Sequence, residues 1–411
     1  MEKITPKDRG ILREYAKRQL EIAESDEMKK KEALWYAHND FKTREPVVTL
    51  ERWTFDGEFS LLYELKCETE AARGIERWFL GNMINYEYIH DDTVMPSVFP
   101  IRVNAGMQPF GIQIEAERTV SETHAYKLRY PIRDLEANFD MLKPSPIWCE
   151  KEKSAEYRDF VNETIGDIIP ARLAFCPDVR HAYNVYCLMG LEVMMTSMYD
   201  CPELFHEMMR MQTEDCLRLW ELVEREGCVF PNNFNLGIGQ GTYAFTDELP
   251  VSKGEPYALG DVWGYLDSQE TSEISPAMYN EFFFPYYKKA SERFGRINYG
   301  CCESVSEIWD DSVSKFDNLA KVSVSPWCDE EIIGGKLRGR NIIYHRKPHP
   351  NYLSGERFDE KEFGDHIEKT LRAAKGCFLE ISYRDVYTLR GDFYRAKKAY
   401  IIIQDLIGKY W

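Results

Sequence analysis

The sequence has no run of apolar residues long enough to cross a membrane. Its most apolar helix-like run, residues 186–198, is interrupted by Glu192 and is shorter than the roughly 20 residues that a spanning helix needs. The opening residues, Met-Glu-Lys-Ile-Thr-Pro-Lys-Asp-Arg, contain no apolar core of the signal-peptide kind. We therefore expect a cytoplasmic protein that does not bind membranes.

An excess of basic residues is also missing. The chain has 52 Lys and Arg residues against 69 Asp and Glu residues, which gives a formal net charge of -17. A surface of that sign repels phosphate backbones and anionic lipids, and no local basic patch offsets it. The sequence thus argues against nucleic-acid binding and favours a small-molecule substrate that is not itself highly anionic.

Two further patterns are absent. The segment Gly237-Ile-Gly239-Gln-Gly241 is glycine-rich but lacks the spacing of a dinucleotide-binding fingerprint, so it predicts a polar loop over a ligand rather than a nucleotide site. Eleven cysteines, an odd number in a chain without a secretion signal, predict reduced thiols rather than a disulfide framework. Cys301 and Cys302 are the only close pair.

The composition is that of a folded protein with a large interior. Hydrophobic residues make up 44% of the 411 residues and aromatic residues 14%. We expect an N-terminal helical extension over residues 1–44, followed by a barrel over 45–411 that carries a β-rich excursion or cover at about 86–140. Within that excursion, His90-Asp91-Asp92 fits an exposed turn, a set of metal ligands or a pocket lining.

After Pro144, helical and strand patterns alternate regularly, which predicts an α/β fold with a parallel sheet. Several of the predicted strands begin apolar and end polar. In a barrel of parallel strands these ends converge on one mouth, where such folds do their chemistry. The residues expected at this mouth or in the interior are Cys301, Cys302, Glu303, Trp327, His345, Arg346, Lys347, Cys377, Glu380 and Asp385.

The adjacent cysteines follow a short apolar segment that predicts a strand. The chain turns sharply at Gly300 after this strand and then continues toward a helix. Side chains alternate faces along a strand, but a bend at the strand end allows Cys301 and Cys302 to approach one ion. Soft-metal or thiolate chemistry is one interpretation of this pair. Packing in the core is the other, because free cysteine is among the most buried residue types.

The order of motifs resembles the uroporphyrinogen decarboxylase superfamily over roughly residues 45–407. Three segments are similar to that family: Ser275-Pro-Ala-Met-Tyr-Asn-Glu-Phe282, Asn298-Tyr-Gly-Cys-Cys-Glu303, and residues 309–327, which lead into a Val-Ser-Val-Ser-Pro strand. The resemblance implies a (β/α)8 barrel of the TIM type. It does not extend to the decarboxylases themselves, because the Arg-Gln-Ala-Gly-Arg segment that holds their substrate carboxylates is missing before residue 150.

The closer likeness is to the corrinoid-dependent methyltransferases of this superfamily, which bind zinc through His-x-Cys and a later cysteine. That likeness implies a methyltransferase that moves a methyl group between cobalamin, free or on a corrinoid protein, and a thiol, folate or small molecule. The motif histidine is absent, since Tyr299 or Gly300 takes its place. The implied metal ligands are Cys301, Cys302, Cys377 and Glu380, with Glu303 or His345 as other candidates for the fourth position.

The resemblance also implies roles for other residues of the mouth. Glu303, His345 and Asp385 are candidate catalytic residues that orient groups or accept protons. Arg384 is a further cation that could neutralise a carboxylate. The candidate cofactor-binding residues are Trp263, Tyr265, Tyr299, Trp327, Arg346 and Lys347.

Two other hypotheses stay open. One is a metal-independent decarboxylase, lyase or hydrolase of a small acid, which would use Asp267, Glu270 and Asp385 with the basic run His345-Arg346-Lys347. The other is a non-catalytic tetrapyrrole-binding protein with an aromatic mouth. Long aromatic helices also permit a homodimer without requiring one.

Overall fold

The predicted parallel sheet is present and has seven strands, in the order β1-β13-β12-β11-β10-β9-β8. The computed structural model describes residues 2–118, 126–250, 254 and 256–411. Its strands are β1 Val47–Leu50, β2 Phe99–Arg102, β3 Ala105–Met107, β4 Glu115–Arg118, β5 Tyr126–Arg129, β6 Ile147–Cys149, β7 Ala171–Ala174, β8 Asp178–Val179, β9 Trp263–Leu266, β10 Arg296–Tyr299, β11 Leu319–Val324, β12 Ile343–Arg346 and β13 Phe378–Tyr383.

Helices surround this sheet and bury the apolar side chains on its outer face. Their limits follow local sequence: the hydroxyl of Thr69 caps one helix, that of Ser275 caps another, and Pro202 begins a third. The α-helices are α1 Pro6–Ala23, α2 Asp26–Asn39, α3 Asp56–Phe59, α4 Glu70–Ile84, α5 Leu135–Asn138, α6 Lys151–Ile165, α7 His181–Asp200, α8 Pro202–Arg225, α9 Pro276–Phe282, α10 Phe284–Ser291, α11 Val305–Ile308, α12 Glu330–Leu337, α13 Asn351–Ser354, α14 Glu360–Ala373 and α15 Arg395–Tyr410.

Every neighbouring pair in the seven-stranded sheet is parallel. Strands β11, β12 and β13 are buried along their whole length, as expected for a parallel sheet that is covered on both faces. Because all seven strands run the same way, their carboxyl ends lie along one edge. The prediction of an α/β fold with a parallel sheet is confirmed.

The predicted barrel does not close among the described residues. Within the part of the chain that the structure describes, strand β2 pairs only with β7, so the hydrogen bonding is interrupted between β1 and β2. Two carboxylates, instead of a strand, accept hydrogen bonds from backbone N–H groups at the free edge of β1. Asp92 Oδ2 accepts from Val48 N at 2.8 Å, and Asp91 Oδ2 accepts from Leu50 N at 2.6 Å. These buried aspartates therefore occupy the donors that a neighbouring strand would need.

The N-terminal helices and the β-rich excursion both pack on the sheet layers. Helix α1 shares the main core through Leu12 and Ala16, and Trp35 of α2 donates its indole N–H to the Asp92 carbonyl at 2.8 Å. The predicted excursion contains the antiparallel pair β4–β5 and strand β3, which pairs with β6 beyond residue 140, while residues 119–125 of the predicted range lie outside the described residues. No described helix is both long and apolar enough to span a membrane.

The expectation that all the cysteines are reduced thiols is wrong. Cys149 and Cys228 form a disulfide, with Cα atoms 6.8 Å apart, so the cysteines are not all free thiols. The apolar segment Cys228-Val-Phe230 that follows α8 has no strand assignment; Cys228 N donates to Val223 O at 2.7 Å, and Phe230 O accepts from Phe175 N at 3.1 Å. The tertiary position of residue 228 beside β6 accounts for the pairing, and sequence spacing does not reveal it.

Candidate functional site

A buried glutamate holds the carboxyl ends of β9 and β10 together. Glu303 Oε1 accepts from Ser268 N at 2.9 Å, and its Oε2 accepts from Cys301 N at 2.7 Å. The side chain is only 2% exposed. Because both carboxylate oxygens already bind backbone amides, Glu303 is a positioning residue that fixes the turn in which the cysteines sit.

The turn presents the two thiols side by side. Gly300 has φ +102°, and a Cβ at this position would lie 3.0 Å from Ser323 Cβ, so only glycine allows the chain to leave β10 here. Cys301 is buried, Cys302 is half-buried, and their Sγ atoms lie 3.6 Å apart. Cys301 Sγ also lies 3.2 Å from Gln269 Oε1.

This geometry separates the acidities of the two thiols. The hydrogen bond from Cys301, together with the nearby ammonium of Lys347, lowers the pKa of Cys302 to about 7. The same hydrogen bond, together with burial, raises the pKa of Cys301. Near neutral pH, Cys302 is therefore a thiolate for a large part of the time, with the Cys301 thiol as its hydrogen-bond donor.

Two cations and an amide lie beside the thiols. Lys347 follows β12 and Arg384 follows β13, so both stand at the carboxyl edge of the sheet. The side-chain oxygen of Gln240 accepts from Lys347 Nζ at 2.7 Å and also from Arg384 Nη1. Burial and the charge of Arg384 lower the pKa of Lys347. Arg384 Nε lies 3.1 Å from Glu51 Oε2 and 3.3 Å from Asp385 Oδ2.

Two acids with raised pKa values complete the same edge. Asp267 Oδ2 accepts from the Tyr265 hydroxyl at 2.7 Å, and burial together with the charge of Glu303 raises the pKa of Asp267 to about 6. Burial raises the pKa of Glu270 to about 7. Tyr265 in turn accepts from Gln240 Nε2 at 2.7 Å. These acids can carry a proton near neutral pH, as a general acid must.

A cavity of about 380 Å³ opens at the interruption between β1 and β2. The glycine-rich loop forms one wall, and Glu51, which pairs with Arg384, belongs to the lining. The volume is in the range of small-molecule sites. The remaining lining residues are Thr49, Leu50, Arg52, Asn82, Asn85, Thr93, Arg102, Gly237, Gly239, Gly241, Thr242 and Tyr243.

His345 and Glu380 lie in the sheet interior rather than at its edge. Glu380 Oε2 accepts from the ammonium of Lys321 at 2.9 Å, and Glu380 Oε1 lies 3.6 Å from His345 Nε2. All three side chains are fully buried. Burial and the charges of Lys347 and Lys321 lower the pKa of His345 well below its ordinary value, so this imidazole is neutral.

The structure does not bring the four predicted metal ligands together. Cys377 precedes β13, whereas Cys301 and Cys302 follow β10, so they lie at opposite edges of a parallel sheet. A six-residue strand such as β13 spans roughly 20 Å. The Cys377 thiol instead donates to the Gly334 carbonyl at 3.4 Å, and Glu380 is held by Lys321. In the part of the chain that the structure describes, no three His, Cys, Asp or Glu residues are arranged to hold a metal ion.

Several predicted cofactor-binding residues point away from the thiols because side chains alternate along a strand. Tyr299 points outward and bonds the Tyr279 hydroxyl at 2.7 Å, and Arg346 points outward to Glu330 at 2.8 Å. Trp263 is buried, with its indole N–H donating to the Ala244 carbonyl at 2.9 Å. Trp327 is 66% exposed. Of the predicted cofactor-binding residues, Tyr265 and Lys347 do lie at the site, and so does Asp385, which was predicted as a catalytic residue.

The sequence pattern does not reveal two contributors to the site. It places Gln240 only in a glycine-rich loop, yet this residue joins Lys347, Arg384 and Tyr265. Arg180, whose guanidinium lies 5.7 Å from the centre of the Tyr265 ring, is absent from the predicted set. The only local indication of Gln240 is that it is a polar residue between two glycines. Nothing in the local sequence indicates Arg180.

Comparisons with known proteins add little to this geometry. No protein-family model matches the chain, and no curated protein sequence matches it significantly. Among solved structures, the chain is similar to a methyltransferase from Methanosarcina mazei, with a TM-score of 0.48 and 11% sequence identity over 93% of this chain and 98% of that chain. A likeness at that level carries no functional argument, so the function has to be inferred from the chain's own residues.

Proposed function

We propose that this chain is an enzyme that transfers a methyl group, with the Cys302 thiolate as the nucleophile toward the methyl carbon of a small-molecule donor. The observation that carries the proposal is the thiol pair itself. The Sγ atoms of Cys301 and Cys302 lie 3.6 Å apart, within hydrogen-bonding distance, and Cys302 lies close to the buried cation of Lys347 at the carboxyl edge of the sheet. A half-buried thiol with a pKa of about 7 meets the requirements for a cysteine nucleophile.

The chemical step is a displacement at carbon. The Cys302 sulfur forms a bond to the methyl carbon, and the bond from that carbon to an oxygen, nitrogen or sulfur atom of the donor breaks. A departing oxygen or amine nitrogen keeps the electron pair and takes a proton from Asp267 or Glu270, whose pKa values of about 6 and about 7 leave them partly protonated, whereas the sulfur of a methylsulfonium donor leaves as a neutral sulfide and needs no proton. The products are S-methylated Cys302 and the demethylated donor.

The surrounding residues prepare the nucleophile. Glu303 fixes the turn through Cys301 N, and Ser323 donates to the Cys301 carbonyl at 3.0 Å. Cys301 contributes a hydrogen bond that stabilises the Cys302 thiolate, and Lys347 contributes a positive charge. The site therefore raises the thiolate population without a metal ligand.

The groups implied by the family resemblance fit this chain poorly. Zinc is not part of the proposal because Cys377 and Glu380 lie away from Cys301 and Cys302. The aromatic residues predicted to contact a corrin ring do not share a surface, since Trp263 is buried while Trp327 is exposed on the rim. A corrinoid protein that accepts the methyl group would have to approach Cys302 from the open side of the strand ends.

The test is to incubate the full chain with methyl ethers, methylated amines and methylsulfonium compounds and to analyse its cysteine peptides by mass spectrometry. We expect the Cys302 peptide to gain the mass of one CH₂ group and the demethylated donor to appear. Cys302→Ser should show neither, and Cys377→Ser should behave like wild type. Demethylation by Cys302→Ser at the wild-type rate would refute the proposal.

A second candidate is a metal-independent decarboxylase or lyase of a small acid. The raised pKa values of Asp267 and Glu270 favour it, since a protonated carboxyl can protonate the carbanion that loss of CO₂ leaves. The two candidate functions differ in whether they require the Cys302 thiol. Release of CO₂ that survives Cys302→Ser but is lost in Asp267→Asn would identify the lyase.

A further inference from the structure

Two cations share one uncharged acceptor beside the thiol pair. Lys347 Nζ lies 2.7 Å from Gln240 Oε1, and Arg384 Nη1 donates to the same oxygen. The other end of the Gln240 amide donates to the Tyr265 hydroxyl at 2.7 Å. The amide thus lies across the floor of the site, between the cations and Tyr265.

An amide oxygen does not balance these charges. Lys347 is 3% exposed, and among the described residues no carboxylate lies within ion-pair distance of its ammonium. Arg384 has carboxylate neighbours, with its Nε 3.1 Å from Glu51 Oε2 and 3.3 Å from Asp385 Oδ2, while its Nη1 donates to the Gln240 oxygen. The Cys302 thiolate and Glu303 are the nearby negative groups, but neither forms an ion pair with the ammonium, so a carboxylate in place of the Gln240 oxygen would give Lys347 a charged partner in direct contact.

The backbone at Gln240 and on both sides of it has a conformation that is unfavourable for residues with a Cβ. Gly239, Gln240 and Gly241 have φ values of +97°, +58° and +81°, in the region that residues with a Cβ rarely adopt. Gln240 adopts this conformation despite its side chain. Its side-chain bonds to Lys347, Arg384 and Tyr265 offset that strain, so a ligand that takes over those bonds also releases it.

We infer that Lys347 and Arg384 form a subsite for a carboxylate group of the substrate, and that the Gln240 side chain fills this subsite in the free protein. Substrate binding then displaces Gln240 and the loop of residues 237–242. The inference rests on the proposed function only in naming the ligand as the donor of the methyl group. The glycine-walled cavity beside the loop has room for the rest of such a donor.

A carboxylate suits this subsite because it has the shape of the amide that it replaces. One of its oxygens takes the place of Oε1 between Lys347 and Arg384, and its second oxygen takes the place of Nε2 near the Tyr265 hydroxyl. The Tyr265 hydroxyl, which now donates to Asp267, then donates to the carboxylate. Asp267 takes up one proton from solvent and donates it to Tyr265, so one proton is bound for each carboxylate.

The test is calorimetric titration of the full chain with benzoate, benzamide and inorganic phosphate. We expect benzoate to bind with uptake of about one proton, measured in buffers of different ionisation enthalpy, and benzamide and phosphate not to bind. Gln240→Ala should tighten benzoate binding at least about tenfold by vacating the subsite, since hydrogen bonds to charged groups are worth this much. Gln240→Glu should weaken it by a similar factor, because its own carboxylate stays between the cations.

Matched variants make the result specific. Lys347→Met should abolish benzoate binding, whereas Lys369→Ala, which removes an unrelated cation, should not change it. Benzoate carries no methyl group, so a failure of methyl transfer does not affect this test. The inference is overturned when benzamide or phosphate binds as tightly as benzoate, or when Gln240→Ala and Gln240→Glu shift the affinity in the same direction.

Discussion

The ammonium of Lys321 lies 2.9 Å from Glu380 Oε2 in the middle of the sheet, where neither side chain is exposed. Lys321 also donates to Thr242 Oγ1 at 2.6 Å, so the pair ties β11 and β13 to the end of the glycine-rich loop. A glutamate expected to bind metal is thereby committed to an internal cation. The position of the loop, and with it that of Gln240, depends on this buried pair.

Removing one member of the pair should destabilise the protein strongly. We expect Glu380→Gln or Lys321→Met each to lower the free energy of unfolding by about 3–5 kcal/mol, because the remaining charge is left buried without a partner. The double variant should lose less than the sum of the two. Urea unfolding followed by circular dichroism measures this, with the exposed Lys361–Asp365 pair as the control, where Lys361→Ala should have no measurable effect. Additive losses in the double variant would contradict the argument.

The reactivity of Cys302 should follow a titration near neutral pH. Deprotonation makes the sulfur nucleophilic, so the rate of alkylation by iodoacetamide should rise with pH and level off above a midpoint of about 7, instead of the ordinary thiol value of 9.0. Lys347→Met should move the midpoint upward, since it removes a charge that favours the thiolate. Peptide mass spectrometry resolves Cys302 from Cys187, whose pKa burial raises and which serves as the internal control. A wild-type midpoint near 9 would contradict this assignment.

Much of the fold could be predicted from local sequence. The break between α7 and α8 lies at Pro202 and the start of α9 at Ser275, because a proline or a capping hydroxyl acts on neighbouring backbone groups. The interruption beside β1 could not be predicted. It depends on Asp91 and Asp92 reaching backbone amides more than 40 positions away along the chain.

In the candidate site, too, local features could be predicted from the sequence, whereas features that depend on the assembled sheet could not. The sequence predicts Cys301 and Cys302 as a pair at a strand exit, and the structure has them there, since Gly300 and the apolar run before it are local features. Order in the chain groups Cys377 with them, although it stands before its strand and not after it. The same order groups Arg346 with Lys347, although neighbouring residues on a strand face opposite sides. The end of the strand at which a residue lies, and the face of the sheet to which its side chain points, are set by the sheet as a whole and cannot be identified from a single segment.

The separation of Cys377 from the thiol pair leads to a prediction about metal content. Protein purified without added metal and assayed by mass spectrometry for zinc should give the same value for wild type and Cys377→Ser, because the Cys377 thiol bonds the Gly334 carbonyl and faces no other thiol among the described residues. The zinc content of the Cys301→Ser, Cys302→Ser double variant is measured alongside these two proteins for comparison. About one zinc per wild-type chain that is lost on changing Cys377 would restore the three-cysteine site and refute this placement of Cys377.

Gly239 should be the position in the loop that is most sensitive to a single methyl group. An alanine Cβ there would lie 2.9 Å from Tyr265 Cδ2, in addition to the cost of φ +97°. Gly391 is the matched control, since it has φ +73° but no atom within 4 Å of a Cβ. Gly391→Ala should cost only the backbone term, roughly 1–2 kcal/mol, whereas Gly239→Ala should cost clearly more in urea unfolding.

The same Gly239→Ala variant should alter the site as well as the stability. Moving the Tyr265 ring or the loop breaks the bond from Gln240 Nε2, so Gln240 leaves Lys347 more easily. We therefore expect benzoate to bind Gly239→Ala more tightly than wild type, although the variant is less stable, while Gly391→Ala binds it unchanged. Equal costs for the two alanines, or weaker binding by Gly239→Ala, would show that the loop does not restrain access to Lys347.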